Sequence, residues 1–173
     1  MTHDVLLLTA LTLLPFVGSG LASFLPTRAR TAAAVLAGAV SVAGVVLTVM
    51  LYPAVAGGRV LKHSFGELPG LGIDLSLRID GISWLFVLLI TGIGALVVIY
   101  ARYYMSADDP VPRFFTLLLA FMGAMLALVV SGNLIQIVFS WELTSLFSFL
   151  LIGYWYHNDN ARDGARMALI VTA

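Results

Sequence analysis

The chain has 173 residues, of which 61% are hydrophobic and 10% carry a charged side chain. An average soluble domain has roughly 25% charged residues, so this composition excludes an ordinary soluble protein. Nine basic and nine acidic residues balance to a formal charge of zero, which gives no indication of a nucleic-acid partner. The sequence has no cysteine and therefore no thiolate for an iron–sulfur cluster. No pattern in it predicts a metal site or a bound cofactor.

Long apolar runs follow one another along the chain. A helix needs roughly 20 apolar residues to cross the hydrocarbon core of a bilayer. Five segments meet this requirement: Val5–Leu25, Ala32–Val55, Ile82–Ala101, Phe114–Val130 and Leu134–Tyr156. We predict an all-α multi-pass membrane protein in which these five segments are transmembrane helices.

A sixth helix is predicted to start within residues 161–173. Counted from a cap-like Asn-Asp-Asn at 158–160, it reaches only about 21 Å by Ala173 at 1.5 Å per residue, too little for a crossing. We therefore expect the sequence to be the N-terminal part of a longer protein. The first apolar run is longer than the core of a signal peptide, which favours a retained transmembrane helix.

The segment between the second and third spans, residues 58–80, has a different pattern. From residue 71 to residue 79, apolar residues alternate without exception with polar residues or glycine. A period of two is typical of a strand with one covered face, and Glu-Leu-Pro-Gly at 67–70 suits a turn. We predict a small β-hairpin on the membrane surface, followed by Asp80 as the N-cap of the third span.

The basic residues predict the orientation of the chain in the membrane. Cytoplasmic loops of membrane proteins carry an excess of Lys and Arg. Six arginines lie beside one set of loops and three basic residues beside the other: Arg28, Arg30, Arg102, Arg113, Arg162 and Arg166 against Arg59, Lys62 and Arg78. The N-terminus and the hairpin are therefore predicted to be extracytoplasmic.

Glu142 is the one acidic residue in the interior of a predicted span. It lies eight residues into the fifth span, which is about 12 Å along the helix. Insertion scales assign a central charged residue a cost of about 2.5–3.5 kcal/mol, so this carboxyl group must be neutral, paired or hydrated. A proton-coupled transporter needs a group of this kind, and we predict that Glu142 handles protons or cations. The alternative is that it only joins helices by pairing with a Lys or Arg of another span.

Polar side chains surround Glu142 in the sequence. Thr144, Ser145 and Ser148 offer hydroxyl groups and Trp141 offers an indole N–H, so we predict a polar, protein-facing stripe. Ser145, three residues after Glu142, is expected on the same face of the helix. Farther out, Ser131, Asn133 and Gln136 are expected to hydrate the mouth of this helix.

Weaker candidates have simpler explanations. His63 and His157 lie in the hairpin and just after the fifth span, where solvated or interfacial histidines are more common than proton relays. Gly92 and Gly94 lie within a span with no preceding strand, so close helix packing explains them better than a nucleotide loop. The small residues Ala33, Ala37 and Ser41 form a similar packing seam.

Several motifs together resemble a known family. They are Arg-Phe-Phe at 113–115, Gly-Asn-Leu at 132–134, Trp-Glu-Leu-Thr-Ser at 141–145, Ser-Phe-Leu-Leu-Ile-Gly-Tyr-Trp at 148–155, Asp-Gly-Ile-Ser at 80–83 and Tyr-Ala-Arg-Tyr-Tyr at 100–104. This set resembles the antiporter-like subunits that respiratory complex I shares with the multisubunit Mrp-type cation/proton antiporters. Within the family, Trp-Glu-Leu-Thr-Ser is most similar to the large A-type subunit of the Mrp antiporter.

The resemblance implies a role for Glu142 and a set of partners. Glu142 matches the family's fifth-span glutamate, which belongs to a proton pathway and is partnered by a lysine on a later broken helix. The implied function is exchange of Na⁺ or another monovalent cation for protons across the cell membrane, together with the other subunits of a multisubunit complex. Two other functions remain open: a proton-pumping subunit of complex I or of a membrane hydrogenase, and a membrane scaffold without transport activity.

Overall fold

The computed structural model describes residues 3–68, 73–106, 109–155 and 159–172. Its helices and strands, in chain order, are α1 (His3–Ser23), α2 (Arg30–Met50), α3 (Tyr52–Val55), β1 (Leu61–Leu68), β2 (Ile73–Ile79), α4 (Gly81–Tyr104), α5 (Val111–Val129), α6 (Leu134–Ile152) and α7 (Asp159–Thr172). Within the described residues, five helices are long and apolar enough to cross a membrane: α1, α2, α4, α5 and α6. The predicted fold class is confirmed, including the hairpin between the second and third of these helices.

The long helices form a bundle whose two ends differ in charge. α1 packs against α2 and α5, α2 against α4, and α5 against α6, while α7 lies on α6. At one end, Arg30 Nη2 donates to the backbone oxygen of Arg102 at 2.9 Å, and Trp155 Nε1 donates to Asp109 Oδ1 at 3.2 Å. This end carries the six arginines counted above, and we call it the basic end. The β-hairpin lies at the other, hairpin end.

Close approach of the helices depends on small residues. Ala33, Ala37 and Ser41 are fully buried, as expected for a packing seam. A Cβ atom on Gly94 would lie 2.7 Å from the sulfur of Met122, which confirms close packing there, whereas a Cβ atom on Gly92 would meet nothing within 4 Å. Among the described residues, close packing therefore holds for Gly94 and not for Gly92.

Two hydrophobic clusters form the core, one near each end of the bundle. The cluster at the basic end includes Ala37, Val98, Ala101, Phe115 and Leu119. The cluster at the hairpin end joins helices to the hairpin: Leu8, Leu11, Leu51, Val55, Leu77, Ile79, Val87, Leu126 and Val130. The hairpin is thus part of the core and not only a surface loop.

The hairpin is a two-stranded antiparallel sheet in which Leu61 is opposite Ile79. Its register shifts between Ser64 and Glu67, where Gly66 adopts a positive φ of 101°, a conformation that favours glycine. The predicted turn at 67–70 lies partly outside the described residues, because β1 extends through Leu68 and residues 69–72 are not among those described.

The alternation predicted for β2 holds at one end of the strand only. Leu77 and Ile79 are buried and Arg78 is exposed, as a strand with one covered face requires. Leu75, however, is exposed and Ser76 is buried. The reason is that β2 has a second neighbour at this point, the loop between α5 and α6, which covers the face that carries Ser76.

Asp80 caps α4 as predicted. Its Oδ1 accepts a hydrogen bond from the backbone N–H of Ser83 at 2.9 Å, and its Oδ2 pairs with Arg78 Nη2 at 3.0 Å. The hydrogen bond from Ser83, helped by the charge of Arg78, holds the pKa of Asp80 below its usual value of 3.8, although partial burial acts in the opposite direction. The carboxylate is therefore ionised at neutral pH and suits the N-terminus of a helix.

Candidate functional site

The helix that carries Glu142 begins at a well-defined cap. Asn133 precedes α6, and its Oδ1 accepts a hydrogen bond from the backbone N–H of Gln136 at 2.8 Å. This is the usual N-cap arrangement, in which a side-chain oxygen satisfies one of the free N–H groups of the first turn. The start of α6 is thus set by the residue type at position 133.

The same loop is hydrogen-bonded to strand β2. The N–H of Gly132 donates to the carbonyl of Ser76 at 2.9 Å, and the N–H of Arg78 donates to the carbonyl of Val130 at 2.8 Å. The side-chain amide of Asn133 donates to the carbonyl of Asp74, and the N–H of Ser76 donates to Gln136 Oε1 at 3.3 Å. The hairpin therefore holds the start of α6 through both backbone and side-chain groups.

These contacts correct one prediction. Asn133 and Gln136 were expected to hydrate the mouth of the helix, but both bind the hairpin, and Ser131 forms a bridge with Leu77. A signal for the cap is present in the sequence, because Asn133 is followed three residues later by Gln136, as in a capping box. The binding of Gln136 to a strand 60 positions away could not be read from this spacing.

Glu142 lies on a face of α6 that no described residue covers. The Glu142 side chain is exposed, and so are Ile135, Val138, Phe139 and Leu146. These four lie at i−7, i−4, i−3 and i+4 from Glu142, which is the spacing of one helix face. We call these five residues the Glu142 face. The carboxylate thus lies at mid-helix in an apolar stripe, as predicted from its position, but this part of the chain does not bury it.

The polar neighbours of Glu142 lie on a different face of α6. A cleft of about 290 Å³ between α5 and α6 is lined by Trp141, Thr144, Ser145 and Ser148 from α6 and by Phe121, Met125 and Leu128 from α5. Thr144 Oγ1 also donates to the carbonyl of Trp141 at 2.6 Å. The cleft brings together all four predicted polar neighbours, although Glu142 does not line it.

The relation between Ser145 and Glu142 differs from the prediction. Ser145 is buried, whereas Glu142 is exposed. Two residues three positions apart are rotated by about 60° around a helix of 3.6 residues per turn. This rotation is enough to direct Ser145 toward α5 and to leave Glu142 on the uncovered face.

Charged partners for Glu142 are absent from the described part of the chain. The ion pairs found there join His3 to Asp4, Arg78 to Asp80, and Arg162 to Asp159. No group of three or more His, Asp or Glu side chains in these ranges could hold a metal ion. His63 lies in β1 against the ring of Phe65, with a centroid distance of 4.8 Å, and His157 is outside the described residues.

Two family models match the chain, and the matched residues include strand β2 and helix α6. Residues 66–115 match the N-terminus of chain 5 of NADH-ubiquinone oxidoreductase (complex I), and residues 131–173 match the transmembrane region of NADH:quinone oxidoreductase and Mrp antiporters. Together the two matches cover more than half of the chain. The chain belongs to this family of antiporter-like membrane subunits.

Proteins with similar sequences are named as antiporter subunits. The chain is 56% identical over 166 residues to the A/B-type subunit of a probable K(+)/H(+) antiporter of Rhizobium meliloti (strain 1021), covering 96% of this chain and 17% of that protein. It is 47% identical over 116 residues to the A-type subunit of a Na(+)/H(+) antiporter of Alkalihalophilus pseudofirmus, covering 66% of this chain and 14% of the relative. The chain therefore spans only 14–17% of the length of these curated relatives.

A solved structure shares the fold of this antiporter-like chain. It belongs to the membrane-bound sulfane sulfur reductase, an archaeal respiratory membrane complex, with a TM-score of 0.74 and 21% sequence identity. The match covers 92% of this chain and 24% of the other one. At this level of identity the likeness describes the arrangement of helices and hairpin alone.

Proposed function

We propose that this chain is the N-terminal part of a subunit that exchanges Na⁺ or another monovalent cation for protons across the cell membrane. It acts as a transporter subunit within a multisubunit antiporter complex, and Glu142 lies in the path of the protons or cations. The names of the relatives support the type of transport. The observation that carries the role of Glu142 is its position at mid-helix on an uncovered apolar face.

A carboxylate that faces lipid is energetically unfavourable. A charged side chain at the bilayer centre costs about 2.5–3.5 kcal/mol on insertion scales, and more for an isolated helix in simulations. The described residues neither pair with Glu142 nor cover it. The Glu142 face therefore lies against another part of the complex, where a cation or internal water reduces this cost.

Proton exchange at Glu142 requires a cationic partner group that moves toward and away from it. A nearby cation favours the ionised form of a carboxyl group, and desolvation favours the neutral form. When the partner approaches, Glu142 releases a proton, and when the partner withdraws, it takes one up. The family resemblance implies that this partner is a lysine on a later span.

The hydroxyl-lined cleft supplies the second part of the path. Trp141, Thr144, Ser145 and Ser148 lie on the face of α6 next to Glu142. Water held by these groups would lead protons along α6 toward the carboxylate, because hydroxyl groups both donate and accept hydrogen bonds. We assign these residues to the hydration of the path and the proton exchange itself to Glu142.

The orientation is proposed from the charge of the two ends. The basic end lies in the cytoplasm, and the N-terminus and hairpin are extracytoplasmic, because arginine is concentrated on the cytoplasmic side of membrane proteins. A fluorescent or enzymatic reporter fused to the N-terminus of the full-length protein tests this. Reporter activity in the cytoplasm would contradict the orientation.

The deciding experiment measures exchange by the full-length complex. Inverted vesicles from antiporter-deficient cells are assayed for cation-driven proton movement with Glu142→Gln, Glu142→Asp and, as a control, Asp4→Asn at the start of α1. We expect Glu142→Gln to lower exchange by at least about 100-fold, within the range found for loss of a group that transfers protons. Glu142→Asp should retain part of the activity, and Asp4→Asn should exchange at the wild-type rate. Wild-type exchange by Glu142→Gln would contradict the proposal.

A second function is favoured by the match of residues 66–115 to a chain of complex I. In that case the protein would pump protons with energy from a redox reaction. The two functions differ in their driving force. Proton movement that follows an added Na⁺ or K⁺ gradient without an electron donor supports the antiporter, whereas movement that requires the electron donor supports the redox pump.

A further inference from the structure

Two arginines link α2 and α4 at the basic end of the bundle. Arg30, the first residue of α2, donates through Nη2 to the backbone oxygens of Arg102 at 2.9 Å and Met105 at 2.6 Å. Arg102, in the last turn of α4, donates through Nη2 to Thr31 Oγ1 at 3.2 Å. Both guanidinium groups therefore bind neutral oxygens.

The two charges have no counter-ion in the described part of the chain. None of the ion pairs found there includes Arg28, Arg30 or Arg102. Arg30 Nε is buried without a hydrogen-bond partner, although buried donors are nearly always satisfied in native proteins. The N-terminus of α2, which has no side-chain cap, adds the positive end of a helix dipole. The described residues therefore leave the positive charge at this end of the bundle without an acidic partner.

An apolar cleft in the middle of the bundle begins one helical turn from Arg102 and runs toward the hairpin end. It lies between α4 and α5, has a volume of about 280 Å³, and is lined mainly by apolar side chains, from Val98 and Leu118 to Phe86 and Val129 near the hairpin end. Val98 precedes Arg102 by four residues, so the nearest lining residue of α4 lies one helical turn from Arg102 along the helix. An apolar cavity of about 150 Å³ accepts benzene, which means that this cleft has room for a length of hydrocarbon chain.

Aromatic side chains indicate where this end lies in the bilayer. Tyr100, Tyr103 and Tyr104 are exposed in the last turns of α4, and the rings of Tyr100 and Tyr104 stack with a centroid distance of 5.1 Å. Tyrosine is enriched at the level of lipid headgroups. The arginines are thus at headgroup depth, and the cleft begins one helical turn deeper, in the hydrocarbon layer.

We propose that α2, α4 and α5 bind one anionic phospholipid, with its phosphate against Arg30 and Arg102 and an acyl chain in the α4–α5 cleft. Charge complementarity selects an anionic over a zwitterionic lipid, since neither arginine has an acidic partner among the described residues. The adjoining cleft selects a lipid over free phosphate, because only a lipid fills both parts. This binding site is separate from Glu142, which lies on an uncovered face of α6.

The test measures phosphatidylglycerol bound to the full-length complex. The complex is purified in mild detergent, and phosphatidylglycerol and phosphatidylcholine retained after exchange into mixed micelles of both are quantified by mass spectrometry. We expect the double variant Arg30→Gln/Arg102→Gln to bind phosphatidylglycerol at least roughly tenfold more weakly, since each basic residue at a membrane surface contributes about a factor of five. The control Arg59→Gln removes one arginine at the hairpin end and should bind as the wild type.

A second pair of variants tests the cleft without changing any charge. Ile93→Trp places an indole ring in the cleft and should lower retention of phosphatidylglycerol several-fold. Ile99→Trp makes the same change at an exposed position of α4 outside the cleft and should have no effect. Because Arg30 also contacts the end of α4, this pair decides the question if the double-arginine variant does not fold.

Three results would overturn the proposal. One is equal retention of phosphatidylglycerol by the wild type and Ile93→Trp. Another is stabilisation of the complex by inorganic phosphate as strongly as by phosphatidylglycerol, which would identify a free anion as the ligand. The third is a carboxylate of another segment or subunit cross-linked to Arg30 or Arg102, which would identify a protein group as the counter-ion.

Discussion

The side-chain amide of Asn133 donates a hydrogen bond to the backbone carbonyl of Asp74, and this bond joins the start of α6 to strand β2. Asn133 also caps α6 by accepting the N–H of Gln136. Glu142 lies about 13 Å farther along the same helix at 1.5 Å per residue. The hairpin, although distant from Glu142, therefore helps to set the depth of the carboxylate in the membrane.

Substitutions at Asn133 separate the cap from the contact with the hairpin. Aspartate can still accept the Gln136 N–H but cannot donate to the Asp74 carbonyl, whereas alanine can do neither. Loss of an N-cap costs about 0.5–2 kcal/mol, and loss of a further hydrogen bond about 1 kcal/mol. We expect thermal stability of the full-length protein in detergent to fall in the order wild type, Asn133→Asp, Asn133→Ala. Equal stability of the two variants would show that the cap contributes nothing.

A methyl group at position 132 tests how closely the loop approaches β2. A Cβ atom on Gly132 would contact the side-chain oxygen of Ser76 and lie 2.9 Å from its carbonyl oxygen. We expect Gly132→Ala to destabilise the protein by about 1–3 kcal/mol, the usual cost of overpacking. The matched control is Gly92→Ala, where a Cβ atom would meet nothing within 4 Å. Alanine there should be neutral or stabilising by up to about 1 kcal/mol, since it favours the helix. Thermal unfolding that affects both variants alike would contradict the proposed close approach.

Asp80 should make the stability of α4 depend on pH in the acidic range. Its pKa in the folded protein lies below the usual 3.8, so the unfolded chain binds more protons in this range and stability rises with pH. The contribution of the carboxylate is complete above the unfolded pKa and is lost as pH falls through the folded value. We expect unfolding temperatures of the wild type and Asp80→Asn to converge below pH 4, because asparagine keeps the cap oxygen without the charge. A constant difference from pH 6 to pH 3 would contradict this assignment.

Bulky substitutions distinguish a protein-covered face from a lipid-facing one. Leu146 lies on the Glu142 face of α6, and Leu96 is exposed on α4. If the Glu142 face packs against another part of the complex, Leu146→Trp overfills that contact at a cost of about 1–3 kcal/mol, whereas lipid accommodates Leu96→Trp. We expect a lower yield of assembled complex for Leu146→Trp only. Equal yields of the two variants would show that lipid covers both positions.

Properties of single segments could be predicted from the sequence. Apolar length identifies the five spans, because the cost of placing polar groups in hydrocarbon depends on each segment by itself. The period of two identifies β2, and the local chemistry of Asp80 identifies the cap of α4. The mid-span position of Glu142 is also visible in the sequence, since it requires only a count along one helix.

Other features depend on which segments become neighbours, and only the tertiary structure decided them. Apolar residues surround α6 on all sides, so its periodicity could not show that Ser145 turns toward α5 while Glu142 remains uncovered. Likewise, Asn133 and Gln136 form hydrogen bonds with backbone groups of a strand about 60 positions earlier. Every residue has such backbone groups, so the sequence could not indicate which ones would be bound. The sequence by itself determined that Glu142 lies near the middle of an apolar helix. The packing of α5, α6 and the hairpin decided which face carries it, because that choice depends on contacts between distant segments.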